Sequence, residues 1–231
     1  MDQIIKVIIP AFNEEDSIAK VIKDIPKIVS EIIVVNNNSS DATSEVAELA
    51  GATVLSEEMK GYGNACLKGM EYIASYSEKP DIIVFLDGDY SDYPDELSKI
   101  IAPIIEEDFD LVIGARTKAL RENGSMTLPQ EFGNWLATSL MKLFFNSTFT
   151  DLGPFRAIKY NKLLDLQMED KTYGWTVEMQ LKALKRKYKY LEVPVHYRNR
   201  IGVSKVSGTV KGAIFAGIKI LSWIFKYSLR K

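Results

Sequence analysis

Two aspartates one residue apart, Asp87 and Asp89, follow the most apolar run of the chain, residues 82–86. On a turn at the carboxyl end of a strand, Asp87-Gly88-Asp89 can aim two carboxylates at one hard divalent cation. Such an ion keeps coordination positions open for diphosphate oxygens. Asp-Gly is also an ordinary turn signal, and a D-x-D pattern is short, so its surroundings must decide. A helix-loop-helix calcium site is disfavoured, because its sixth position needs glycine where Asp92 stands, and it needs a helix rather than a strand in front.

Two further polar clusters close apolar runs. Pro10-Ala11-Phe12-Asn13-Glu14 ends the first, and Asn36-Asn37-Asn38-Ser39-Ser40-Asp41 ends the second. Short polar side chains and backbone groups at adjoining strand ends can read a base and a ribose. Each cluster alone serves equally well as a loop or a helix cap; three at three strand ends do not reduce so easily to turns. The pair Gly61/Gly63 does not make a dinucleotide fingerprint, since Cys66 holds the place of its third glycine and the segment follows the third strand.

The elements that must position these residues are legible in hydrophobic spacing. Residues 4–9, 31–35, 53–55, 82–86 and 111–114 read as strands, separated by helical patterns. Ile18, Val21, Ile22 and Ile25 mark the first helix; Val46, Leu49 and Ala50 mark the second, capped by Ser40 or Asp41 and ended by Gly51. A third runs from about residue 64 to 74. Pro94 fits a first helical turn, ahead of an inner face of Leu97, Ile100, Ile101, Ile104 and Ile105. The alternation predicts an α/β fold with a doubly wound, mainly parallel sheet and a site at the carboxyl ends of its strands. Residues 116–130, with Gly124, Ser125, Thr127 and Pro129, read as a mobile loop. A helix bearing Phe132, Leu136, Leu140 and Leu143 comes next, then a strand at 155–158, a helix near 177–184 and a strand at 190–197.

Composition narrows the chemistry. At 46% hydrophobic and 26% charged residues the chain is a packed globular protein, and a net charge of -2 gives no field for nucleic acid. The single histidine, His196, rules out a multi-histidine zinc site and disfavours a Ser-His triad, so a metal would take oxygen ligands and be magnesium or manganese. The lone Cys66 allows no internal disulfide and suits a reducing compartment. No signal peptide is expected, and no apolar stretch reaches the roughly 20 residues of a spanning helix.

The three polar clusters together resemble the nucleotide-sugar site of family 2 glycosyltransferases of the GT-A, Rossmann-like fold. Gly61-Tyr62-Gly63-Asn64-Ala65 with Gly69-Met70, Tyr173-Gly174-Trp175-Thr176-Val177-Glu178-Met179 and Glu192-Val193-Pro194-Val195 are similar to landmarks of the dolichyl- and polyprenyl-phosphate sugar transferases. Arg200-Ile201-Gly202-Val203-Ser204-Lys205 matches their R-x-x-G-x-S-K signature, and the resemblance covers about residues 4–205. Two departures stand out. Asn36-Asn37 replaces the family's Asp-Asp or Asn-Asp, and Asp151-Leu152-Gly153-Pro154-Phe155-Arg156 lacks the serine of D-x-T-S-G-F-R that would help hold an acceptor phosphate.

The resemblance implies inverting transfer of a hexose from a UDP- or GDP-sugar donor to a polyprenyl or dolichyl phosphate, with Mg2+ or Mn2+ on Asp87 and Asp89. Pro10, Ala11, Asn13, Glu14, Asn37, Asp41, Gly63, Asp87 and Gly88 would bind the nucleotide-sugar. Arg116, Glu178, Arg200 and Lys205 would meet the acceptor and phosphates, Arg121 and Arg156 being weaker candidates. Asp151 is the candidate base beside the catalytic Asp89 and Arg200. Trp175 and Tyr173 would stack on a sugar or pack in the core, and His196 would be structural.

The tail, residues 209–231, forms a unit of its own after a domain of residues 1–208. At helical spacing Lys211, Lys219, Ser222, Lys226 and Arg230 make a narrow stripe beside a wide apolar face. That pattern suits a helix lying on an anionic membrane, or one packed on the domain or a second copy. The expectation is a peripheral enzyme on the cytoplasmic face of a membrane, meeting a lipid-linked acceptor. Rival readings are transfer to a lipid or glycan hydroxyl, a sugar-nucleotide pyrophosphorylase, which would want a G-x-G-T-R-type loop after the first strand, and a silent membrane adaptor.

Overall fold

The computed structural model describes residues 3–202 and 210–229. The apolar runs become β1 (Ile5–Ala11), β2 (Glu31–Asn36), β3 (Thr53–Ser56), β4 (Ile82–Phe85) and β5 (Leu111–Ala115), joined by β6 (Arg156–Lys159) and β7 (Tyr190–Pro194). They form one sheet in the order β3-β2-β1-β4-β6-β5-β7. All pairs are parallel except those of β6, which runs antiparallel to both β4 and β5.

Both faces of the sheet are covered, which is why its central strands read as continuous apolar runs rather than as alternation. Ile5, Val7, Ile9, Ile82 and Val84 point to one side, under α1 (Ile18–Asp24), α2 (Thr43–Leu49) and α4 (Leu97–Glu107). Ile8, Ile33, Val35, Ile83 and Phe85 point to the other. There they meet α3 (Tyr62–Ala74), α5 (Leu128–Phe145), α6 (Tyr160–Leu166), α7 (Trp175–Lys185) and α8 (Val210–Leu229). Each fully buried aliphatic or aromatic side chain contributes roughly 1.5–3 kcal/mol.

Several expected inner-face positions face solvent instead. Leu49, Ile105, Phe132 and Leu143 are exposed; α2 buries Thr43 and Ala47 instead, α4 buries Leu97, Ile100, Ile101 and Ile104, and α5 buries Ala137, Thr138 and Met141. The segment expected to be a mobile loop to residue 130 ends earlier, at a well-formed helix start. The Thr127 backbone N–H donates to Gln130 Oε1 at 2.8 Å, the Gln130 N–H donates back to Thr127 Oγ1 at 3.4 Å, and Pro129 sits in the first turn. Helix α6 carried no turn signal to separate it from β6; Tyr160, Leu163 and Leu166, three apart, bury its short inner face.

The tail does not hang apart from the domain. Helix α8 packs on α5 and α7, with Trp223 and Ile224 buried in the core. Trp223 Nε1 donates to Asp170 Oδ2 at 2.6 Å, and any side chain at Gly174 would meet the Trp223 ring at 2.5 Å. Of the basic stripe, Lys219 and Lys226 turn toward acids of the domain, Asp170 at 3.1 Å and Glu169 at 3.8 Å. Ile214, Ile218, Phe225 and Leu229 are left facing outward. No helix of the described residues is long and apolar enough to cross a membrane.

Candidate active site

In the order β3-β2-β1-β4 the chain steps outward from β1 in one direction and resumes on its other side at β4. The crevice beyond the carboxyl ends of β1 and β4 is therefore a topological switch point, where loops diverge and leave room for a ligand. A cavity of about 500 Å³ lies there. Pro10, Ala11, Phe12 and Glu14 line it after β1, Asn37 after β2, Lys60, Gly61 and Tyr62 at the start of α3, and Asp87, Gly88 and Asp89 after β4. Arg116, Tyr197 and Arg200 close another side, and Ala216, Gly217 and Ile220 of α8 complete the wall.

The strand-end loops are held by their own side chains. The Asn13 N–H donates to Ser39 Oγ at 2.9 Å and its Oδ1 accepts from the Ser40 N–H at 2.9 Å, tying the β1 loop to the β2 loop. Asp41 accepts from the Thr43 N–H and hydroxyl at 3.0 and 2.5 Å and from the Glu15 N–H at 3.2 Å. Asn37 donates to the Glu57 and Met59 carbonyls and accepts from the Gly61 N–H at 2.7 Å, which sets the loop before α3. Asn13, Asn38 and Tyr90, on the strand-end loops, have left-handed φ of 56°, 61° and 62°, a conformation asparagine tolerates and tyrosine rarely adopts.

At the D-x-D turn the two carboxylates differ. Asp87 is half-buried, but its Oδ1 is enclosed and makes no hydrogen bond; burial pushes its pKa up against the pull of Arg200, the nearby Tyr62 hydroxyl and Arg116. Asp89 accepts through Oδ1 from the Ser91 N–H at 2.9 Å and hydroxyl at 2.5 Å, and through Oδ2 from Arg200 Nη2. The residues after β7 are fastened along this turn. The Arg198 N–H donates to the Ser91 carbonyl and the Ile201 N–H to that of Asp89, at 2.9 and 3.0 Å. The Arg198 guanidinium lies 3.4 and 4.1 Å from the ring centres of Tyr90 and Tyr93.

Asp87's uncommitted oxygen, in a buried position where an unpaired acceptor is costly, fits a cation ligand. Among the described residues no three acidic, histidine or cysteine side chains are placed to hold one ion together. The donor set therefore suits an ion that keeps water or phosphate oxygens in most of its positions, as Mg2+ and Mn2+ do. The lining cations, Lys60, Arg116 and Arg200, add positive charge toward an anionic ligand.

On the far side of Arg116 a second cavity of about 610 Å³ runs along α5. Between the two, Arg116 clasps Asp151: its backbone N–H and Nε donate to Oδ2 at 2.8 Å each, and Nη2 donates to Oδ1 at 2.7 Å. Burial opposes the charge on Asp151, but Arg116 outweighs it and holds the carboxyl below its ordinary range. The backbone of this turn is pinned by Asn134, Gln180 and Glu192. Asp92, also buried, has no hydrogen bond on either oxygen; burial first, then Asp87, push its pKa up to about 8.

Of the residues expected at the site, Pro10, Ala11, Glu14, Asn37, Asp87, Gly88, Asp89, Arg116 and Arg200 line the crevice together. Asn13 and Asp41 brace its loops from behind. Gly63 faces the protein: a Cβ there would stand 1.9 Å from the Asp170 carbonyl, so close helix packing explains that glycine. Glu178 is not at the surface of the site. It is fully buried, accepts from the Glu169 and Asp170 N–H groups at 2.8 Å each and pairs with Lys182 at 2.7 Å. Asp151 is bound by Arg116 rather than open for proton transfer. Arg156 is buried, donates to the Gly153 and Thr176 carbonyls, and is pushed down to about 10 by burial, while Arg121 pairs with Glu131. Trp175 is a core residue at the cavity floor, Tyr173 lies half-exposed at its edge, and His196 pairs with Glu96. Lys205 and Arg230 lie outside the described residues.

Sequence reasoning did not find the α8 wall or Tyr197. It used Asp92 only against a calcium loop, although a third aspartate three residues beyond Asp89 was visible. Nothing in the spacing of Ala216, Gly217 and Ile220 distinguishes a cavity wall from any small-residue helix face.

Comparison with known proteins bears on this geometry. The family described as Glycosyl transferase family 2 matches residues 6–166. A dolichyl-phosphate hexose transferase of Haloferax volcanii is 30% identical over 90% of this chain and 88% of its own length. A UDP-N-acetylglucosamine–dolichyl-phosphate N-acetylglucosaminyltransferase of Methanococcus voltae is 30% identical over 84% and 85%. Among solved structures, glucosyl-3-phosphoglycerate synthase of Mycobacterium tuberculosis, crystallised with Mn2+, UDP and phosphoglyceric acid, superposes with a TM-score of 0.79 at 20% identity. It covers 98% of this chain and 79% of that one, which establishes a shared fold.

Proposed function

Because the chain belongs to glycosyl transferase family 2, we propose that it moves a hexose, with inversion, from a UDP- or GDP-sugar to a polyprenyl or dolichyl phosphate. That the chain is a glycosyltransferase follows from the family itself; the donor, acceptor and residue roles are our reading. The observation that carries it is the crevice between β1 and β4, where a buried, unpartnered carboxylate oxygen and the cations Arg116 and Arg200 face one cavity. The two dolichyl-phosphate relatives support the acceptor class.

In this reading the loops after β1 and β2 seat the nucleoside, and Asp87 and Asp89 hold Mg2+ or Mn2+, which supplies positive charge against the leaving diphosphate. An acceptor phosphate oxygen attacks the anomeric carbon from the face opposite the diphosphate. The new C–O bond forms as the bond to the diphosphate breaks, and the electron pair leaves with the nucleoside diphosphate. Arg200 and Lys205 clamp phosphate oxygens, and Arg116, paired with Asp151, stands between the two cavities. A phosphate monoester has its second pKa near 6 and needs little help from a base. That matches a crevice whose lining carboxylates are Glu14, Asp87 and Asp89, with Asp151 held by Arg116.

The enzyme would act peripherally on the cytoplasmic face of a membrane, where the outward apolar face of α8 meets lipid. The test is transfer of labelled sugar from UDP- and GDP-sugars to a short polyprenyl phosphate, with and without EDTA. We expect a chelator-sensitive lipid product that disappears in Asp87→Asn, whose melting temperature in EDTA should equal or exceed the parent's because a buried charge is removed. Turnover unchanged in EDTA would sink the metal assignment, and transfer only to a hydroxyl lipid would sink the acceptor.

A further inference from the structure

We propose that Tyr62 is a positioning residue for the divalent ion: its hydroxyl donates to the Asp87 carboxylate and fixes the direction in which that ligand meets Mg2+ or Mn2+. This inference rests on the metal assignment above. Two oxygens carry it. The side chains of Tyr62 and Asp87 line the same cavity, and the Tyr62 hydroxyl and Asp87 Oδ1 are both enclosed by protein without a hydrogen bond. An enclosed donor near an enclosed acceptor, each unsatisfied, is a complementary pair, and leaving both unmade is costly.

The sequence brings them to one side of the sheet. Ile83 and Phe85 point toward α3, and Asp87 is the next residue of that alternation. Tyr62, in the first turn of α3, packs its ring against the same core cluster. The flanking glycines put it there. A Cβ at Gly61 would overlap the Lys171 carbonyl oxygen and one at Gly63 that of Asp170, so the Gly61-x-Gly63 spacing lets the helix start lie against the 170–172 backbone. The Gly61 N–H donates to Asn37 Oδ1 at 2.7 Å and the Asn64 N–H to the Lys171 carbonyl at 3.0 Å, so residue 62 is held from both sides. The glycine pair, which fits no dinucleotide fingerprint, thus serves to deliver one phenol to the cavity floor.

A carboxylate offers about four lone-pair directions, so Asp87 can accept from Tyr62 and still ligate an ion. Ligating carboxylates are oriented by such outer donors, whose loss costs about 10- to 100-fold in metal affinity. The rival partner for the hydroxyl is the Cys66 thiol, one turn along α3, and sulfur is a weak acceptor beside a carboxylate.

Tyr62→Phe keeps the ring and removes the hydroxyl. Mn2+ is titrated calorimetrically into the full chain without nucleotide, and melting is followed separately in EDTA. We expect Mn2+ to bind about 10- to 100-fold more weakly than to the parent. The melting temperature in EDTA should equal or exceed the parent's, because an unpaired enclosed hydroxyl has gone. Cys66→Ala should bind Mn2+ like the parent. Equal Mn2+ affinity in Tyr62→Phe and the parent overturns the proposal. Weaker affinity together with a lower melting temperature in EDTA also overturns it, by making Tyr62 a packing residue. An equal loss in Cys66→Ala does the same, by placing the effect in a disturbed α3. A parent that takes up no Mn2+ removes the metal assignment and this inference with it, so the parent alone tells the two failures apart.

Discussion

Arg200 donates through Nη2 to Oδ2 of Asp89, a contact spanning 111 positions of sequence that puts a guanidinium on one of the two carboxylates of the D-x-D turn. In this arrangement the arginine occupies the oxygen a divalent ion would need, so cation and Arg200 compete for Asp89. We expect Arg200→Gln to bind Mn2+ more tightly than the parent when no nucleotide is present. The same change should weaken nucleotide-sugar binding by about 10- to 100-fold, since a charge-assisted hydrogen bond is worth about 1.5–3 kcal/mol. Calorimetric titration with Mn2+ alone, then with donor, separates the two effects. Equal Mn2+ affinity in both proteins would remove the competition.

Asp151 should prove a structural partner of Arg116 before anything else. Its carboxylate is nearly inaccessible and takes three hydrogen bonds from that arginine. Asp151→Asn leaves a buried guanidinium without its counter-charge, which typically costs about 3–5 kcal/mol. Because Arg116 holds the folded pKa below the unfolded value of about 4, this stabilisation is present above that value and is lost as pH falls below it. Urea denaturation at neutral pH should therefore show the full loss, and the gap between parent and variant should narrow on acidification. A variant as stable as the parent at neutral pH would free Asp151 for a role as base.

Asp92 makes the opposite forecast. Buried and unpartnered, it titrates at about 8, raised by burial and by Asp87 and Asp151 against the pull of Arg116 and Arg198. The folded state thus holds a proton the unfolded state has lost between about pH 4 and 8, and stability falls as pH rises through that window. Asp92→Asn stays neutral throughout. Its advantage in melting temperature over the parent should grow from acid to pH 8 and level off above, with a slope of at most about 1.4 kcal/mol per pH unit. A difference independent of pH would show that Asp92 is ionised throughout and finds a partner in solution.

Helix α8 should not be removable. Trp223 fills space beside Gly174 and donates to Asp170, so Trp223→Ala opens the core and leaves a buried carboxylate short of a donor. Burial losses of this size run to about 3–5 kcal/mol. Deleting residues 209–231 should lower the melting temperature further and expose apolar surface to a dye such as ANS. A truncated chain that melts like the parent would return the tail to the status of an independent appendage.

Local chemistry carried a long way in this chain. The strands of the sheet's centre follow from uninterrupted β-branched runs, since burial on both faces leaves no polar positions to blur them. The D-x-D turn and the clusters after the first two strands were legible because strand ends at a switch point must present polar groups, and Asp87, Asp89, Asn37 and Arg200 do meet there. Pairings between distant segments were not legible. Glu178 reads as a helix-surface acid until the fold brings Lys182 and the 169–170 backbone around it. Arg116 and Asp151 each look like a ligand-facing charge until they neutralise one another across 35 residues. Even the direction of α8 was undecided by its pattern: an apolar helix with a basic stripe can present either side. Lys219 and Lys226 face Asp170 and Glu169, while Ile214 and Ile218 face outward, because Trp223 has a slot in the core and they do not. Spacing states which residues share a helix face, but only the packed partners decide what that face meets.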